Sequence, residues 1–132
     1  MYLLDTDTII YSLKGQAAVV RNLEAHRHDP LKICVATLME LYYGAYKSQR
    51  AAANLAKVRR IAEAFDPLPV DDAIAETFGM LKSMLESHGT PLDDLDLVIA
   101  ACALAHNLTL VTNNEKHFRR VDGLRLENWT RG

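Results

Sequence analysis

The sequence predicts an α/β fold, with a central, mostly parallel sheet of about four to five strands covered by helices on both faces. Three observations predict it. Short apolar runs of strand character alternate with longer stretches of helical periodicity, the pattern of βα units joined by right-handed crossovers. The run DDLDLVIAACALA, residues 93–105, is apolar nearly all round after its first turn, so it needs an interior to lie in. Strand-like runs near both ends of the chain are followed at once by oxygen-bearing side chains, and that rim is where open α/β sheets bind ligands. At 132 residues the chain is expected to form a single domain, residues 1–132, with one site.

In order along the chain, Tyr2, Leu3 and Leu4 form a buried strand with Asp5 at its carboxyl end. Thr6, Asp7 and Thr8 are good N-cap residues for a helix that turns Ile9, Ile10 and Leu13 inward. Residues 17–28 read as an amphipathic helix with Val20, Leu23 and Ala25 inward, ended by Asp29-Pro30. LKICV, residues 31–35, is the next strand. Thr37-Leu38-Met39-Glu40 then fits a capping box opening a helix in which Gly44 suggests a close approach. Residues 48–65 form a second helix of the same hairpin, with Leu55, Val58, Ile61, Ala62 and Phe65 inward and Lys57, Arg59 and Arg60 outward. The proline-bounded segment at residues 66–70 suits only a sheet edge. Asp71 caps a helix to about His88 that buries Ile74, Phe78, Leu81 and Leu85, with Gly89 past its end. TLVT, residues 109–112, is a strand followed by a helical turn through Phe118, and residues 124–126 form a last strand.

Bulk properties narrow the function classes. A hydrophobic share of 49% and a charged share of 24% are ordinary for a globular protein and disfavour disorder and membrane spanning. With no basic, then apolar, leader at the N-terminus, a cytoplasmic location is expected. The net charge of -2 argues against a wide basic face and leaves room for a local basic groove, for which Lys47, Arg50, Lys57, Arg59 and Arg60 are the densest cluster. Cys34 and Cys102 read as small buried hydrophobes, and the five histidines lack zinc spacing.

The fold carries several acids to one rim. Asp5 follows the first strand, Glu40 lies one helical turn after the second, Asp96 opens the apolar helix, and Asn114 follows the strand at residues 109–112. Each has a bland alternative: Asp5 and Asp7 as helix caps, Glu40 as the far end of its capping box, Asp96 as an acid at a helix dipole. Asp96 fits its alternative least well, because it shares a face with Ile99, Ala100 and Ala103, which must pack. Three carboxylates drawn within a few ångströms would raise one another's pKa unless a divalent cation kept them ionised. Oxygen donors without sulfur or imidazole point to magnesium or manganese, and such a centre suits phosphoester chemistry.

These residues resemble the PIN-domain ribonucleases, and within them the VapC toxins of toxin-antitoxin pairs. The resemblance rests on LLDTDTII, TLMELYYGA, DLDLVIAACA and LVTNNEKHF with VDGLRLENW, in that order over essentially the whole chain. It implies a three-layer PIN-like α/β/α fold and a magnesium-dependent endoribonuclease that cleaves RNA, often transfer RNA. It also implies a VapB-like antitoxin whose tail fills the groove, and a homodimer. Asp5, Glu40 and Asp96 are then the catalytic acids, with Asp5 and Asp96 as direct metal ligands. Thr6, Asp7, Thr112, Asn114 and His117 support substrate or ligands, Asp7 only by orienting its neighbours, because the family commonly has asparagine there. The fourth acid of many relatives is replaced here by Asn114, Glu115 or His117. Two other readings compete: a haloacid-dehalogenase-like phosphatase with Asp5 as nucleophile in Asp5-Thr6-Asp7, and a catalytically silent RNA- or protein-binding module.

Overall fold

The computed structural model describes residues 1–131, among which are four strands and seven helices. They run β1 (Tyr2–Leu4), α1 (Thr6–Leu13), α2 (Ala17–Ala25), β2 (Leu31–Lys32), α3 (Val35–Tyr46), α4 (Ala51–Phe65), α5 (Asp72–Ser87), α6 (Asp94–Ala105), β3 (Thr109–Val111), α7 (Glu115–Phe118) and β4 (Leu126–Glu127). The sheet order is β2-β1-β3-β4 and every pairing is parallel, so all strand carboxyl ends lie on one rim. Strand alternation sends Leu3 and Leu110 to one face and Leu4 and Val111 to the other, and each pair anchors its own core. The first core gathers Ile74, Leu81 and Leu85 of α5, Phe118 of α7 and the apolar body of α6. The second gathers Ile9 of α1, Leu41 and Ala45 of α3, Val58 of α4 and Trp129.

Several expectations need correction. The strand expected over residues 31–35 pairs only at Leu31–Lys32, because the chain then leaves β1 for a new neighbour. The Leu68 amide donates to the Ile33 carbonyl and the Val35 amide to the Leu68 carbonyl, so the proline-bounded segment does lie at the edge, as a single bridge to Cys34. In consequence α3 begins at Val35, and its N-cap is Cys34, whose sulfur accepts from the Ala36 amide. The capping box at Thr37 therefore does not form, and Glu40 is an interior helical residue. In α2 the buried pair is Ala18 and Val19, while Val20 and Ala25 are exposed. The last strand is Leu126–Glu127 rather than residues 124–126, and a Cβ built on Gly44 would meet nothing within 4 Å, so no close approach occurs there.

Other expectations hold. Asp71 caps α5 by accepting from the Ile74 amide, and Gly89 follows that helix at φ +71°, where glycine is unstrained. Cys34 and Cys102 are free and buried. His26 stacks on Trp129 and His106 meets Asp71, so both are satisfied structurally. No helix among the described residues is long and apolar enough to cross a membrane.

Candidate active site

The site begins where β1 hands over to α1. The Asp5 amide donates to the Val111 carbonyl, which extends the parallel ladder and fixes Asp5 between β1 and β3. Asp5 is also the N-cap of α1: its Oδ1 accepts from the Thr6 amide at 2.8 Å. Its Oδ2 accepts from Thr112 Oγ1 at 2.7 Å, and that hydroxyl in turn accepts from the Asn114 amide at 2.9 Å. The capping alternative is thus true of Asp5, and incomplete. The helix uses one oxygen, and the other faces a strand more than a hundred residues away in the chain.

Opposite, Glu40 reaches across from α3. Thr6 Oγ1 donates to Glu40 Oε1 at 2.6 Å and stands 3.3 Å from Thr37 Oγ1, so a short hydroxyl bridge links the helices after β1 and β2. Asp96 enters from the first turn of α6, and Asn114 from the segment after β3. Asp5, Thr6, Asp7, Glu40, Asp96 and Asn114, with Ile10, line one open cleft of about 270 Å³. Thr112 lies fully buried beneath it, and His117 stands exposed at its rim, its Nδ1 accepting from Asn114 Nδ2 at 2.9 Å.

Electrostatics mark the cleft as costly without a counterion. Burial, then the Asp7 charge, raises the Asp5 carboxyl from its ordinary value to about 7. Asp7 is raised by burial, and Asp96 by burial and then by Glu40 and Asp93, with His117 pulling the other way. The arrangement is looser than the sequence suggested: no three His, Cys, Asp or Glu side chains among the described residues converge into a ready cage. All the lining donors are nevertheless oxygens or amides. A hard cation that keeps several of its waters and takes one or two carboxylates fits such a cleft.

Two residues stand elsewhere than the sequence led us to expect. Glu115 is drawn away from the cleft, because its carboxylate accepts from Asn128 and pairs with Arg131 and Arg119, an environment that lowers its pKa. Of the three candidates to replace a fourth acid, Asn114 is the one in the cleft lining. Ile10, expected inward, is exposed and forms both a cleft wall and the start of a neighbouring groove of about 500 Å³, lined also by Leu13, Lys14, Glu40, Leu41, Lys57 and Val58. Helical periodicity marks an apolar stripe without saying whether core or groove covers it, so the sequence carried no signal for this.

The PIN domain family model matches residues 2–124. The chain belongs to the PIN-domain family. This PIN domain is 39% identical over 131 residues to a protein of Shigella flexneri named tRNA(fMet)-specific endonuclease VapC, covering 98% of each chain. Its fold superposes with a TM-score of 0.90 on a chain from the crystal structure of VapBC2 from Rickettsia felis bound to a promoter DNA fragment, at 34% identity over 97% of this chain and 98% of that one. The same score and identity relate it to a chain of DNA-bound VapBC from Salmonella typhimurium, over 97% of each. Membership in this family displaces the phosphatase reading of Asp5-Thr6-Asp7.

Within this PIN domain Thr112 is the joint on which the site turns, donating to Asp5 and accepting from Asn114. Thr112→Val leaves a buried carboxylate and a backbone N–H each short of a partner. It is expected to cost about 1–3 kcal/mol in a urea unfolding experiment in EDTA at pH 8, where Asp5 is ionised. An unchanged midpoint there would show that the hydroxyl is dispensable to the fold.

Proposed function

We propose that this chain is a divalent-metal-dependent endoribonuclease of the VapC toxin type, acting on RNA, with transfer RNA the first class to try, and neutralised by a VapB-like antitoxin. The observation that carries the reading is the shared cleft, in which Asp5, Glu40 and Asp96 arrive from three elements at the carboxyl rim of a parallel sheet. The names carried by the relatives support it. Asp5 and Asp96 would hold magnesium or manganese. Such an ion, when bound, lowers the pKa of a water and draws charge from the scissile phosphate.

The chain's own groups supply the rest. Glu40 is fixed by the Thr6 hydroxyl at one oxygen, so its other oxygen can orient and deprotonate an attacking water. Because Asn114 Nδ2 donates to His117 Nδ1, the ring proton sits on Nε2 at the rim, where it can donate to a phosphate oxygen. Asn114 is thereby held with its amide in the cleft. The neighbouring groove, apolar with Lys14 and Lys57 in its lining, suits the tail of an antitoxin that would reach the acids past Ile10 and Glu40.

The test is incubation of the protein with a mixed RNA pool, with and without magnesium, followed by mapping of the cut ends. Discrete new ends that depend on magnesium are expected. Intact RNA with every divalent ion tried would leave a binding module in place of an enzyme.

A further inference from the structure

We propose that Asp7 is a fourth carboxylate of the acid centre, acting through its negative charge on the bound cation rather than by orienting its neighbours. The proposal rests on the metal-dependent reading above. Asp7 lies two residues after Asp5 in the first turn of α1, yet its carboxylate is not spent on that helix. Its Oδ2 accepts from the Asn113 amide at 3.1 Å, which sets it beside the carboxyl end of β3, and Asp7 lines the same cleft as Asp5, Glu40, Asp96 and Asn114.

Its remaining hydrogen bonds are weak ones. Thr112 Oγ1 stands 3.5 Å from Asp7 Oδ2 but directs its single proton to Asp5 at 2.7 Å. Thr8 Oγ1 stands 3.3 Å from Asp7 Oδ1 and has the Val111 carbonyl closer, at 3.1 Å. One backbone N–H is thus the only donor committed to Asp7. An asparagine carbonyl would accept that bond equally well, without the cost of a half-buried charge beside the buried Asp5. The charge itself adds nothing to the fold. Beside a divalent cation the same charge is favourable, since affinity in oxygen-ligand sites grows with the number of carboxylates.

The experiment titrates Mn2+ into the full chain by calorimetry at pH 8, for wild type, Asp7→Asn, Asn114→Asp, the Asp7→Asn/Asn114→Asp double variant and Asp5→Asn, with a thermal midpoint for each. Asp7→Asn is expected to bind Mn2+ about tenfold more weakly while its metal-free midpoint does not fall. The double variant, which returns a carboxylate to the opposite wall of the cleft, is expected to recover to within about threefold of wild type. Wild-type affinity in Asp7→Asn, with affinity lost in Asp5→Asn, overturns the proposal and leaves the metal-dependent reading standing. A double variant as weak as Asp7→Asn overturns it as well, because charge would then not be what was lost. Wild-type affinity in Asp5→Asn brings down the metal reading itself.

Discussion

Asp5→Asn is expected to make the metal-free protein more stable at pH 8 while abolishing RNA cleavage. The carboxyl is buried, and burial with the Asp7 charge lifts it from the usual 3.8 to about 7. The sign follows from proton counting. Between pH 4 and 7 the folded state holds a proton that the unfolded state has released, so stability is greatest below the ordinary carboxylate range. It falls as pH rises and is fully lost above 7. The full displacement corresponds to about 4 kcal/mol. Asp7 and Asp96, raised in the same direction, add to the slope. Urea unfolding in EDTA should therefore show the wild type losing several kcal/mol between pH 4 and 8 and the variant losing much less. Magnesium at pH 8 should restore the wild type and leave the variant unmoved, because only a site that binds the ion is stabilised by it. A wild-type curve that stays flat or climbs over that range would mean Asp5 is not the strained group described here.

The second large effect is on turnover. Asp96→Asn is expected to lower the cleavage rate at least about a thousandfold, a loss of about 4 kcal/mol of transition-state stabilisation. Its fold should be intact, since a half-buried charge facing Glu40 is replaced by a neutral group of the same shape. Asp94→Asn is the matched control on the same helical turn. Asp94 points to solvent and pairs with Lys82, so its substitution should change the rate by no more than about twofold. Equal rates in Asp96→Asn and wild type would remove Asp96 from the chemistry and the nuclease assignment with it.

The parts legible in the sequence were those set by local pattern. β1, α5 and α6 lie within a residue or so of where periodicity and caps put them, because each has a strong apolar stripe bounded by Asp5, Asp71 or Asp93. Asp5, Glu40 and Asp96 could be picked out because a parallel sheet sends everything after its strands to one rim. What could not be read was set by partners distant in the chain. Glu40 looked like a capping residue because Thr37 precedes it by three positions; only the bridge between Cys34 and Leu68 moves the helix start to Val35 and frees the glutamate for Thr6. Glu115 looked like a candidate acid until Asn128 and Arg131 drew it aside. Ile10 and Val19 show the same limit within a helix, where the stripe is visible but what covers it is not.

The pairing of β1 with β3 also sets when activity can exist. Tyr2 lies beside Thr109 and Leu4 beside Val111, and Asp5 takes its second bond from Thr112. A chain emerging from the ribosome therefore carries its first acid almost from the outset and lacks the strand that aims it until some nine-tenths of translation is done. Contacts so distant in sequence also close slowly. Fragments from interrupted synthesis are harmless on this account, and a cell making such a protein is exposed only to finished molecules.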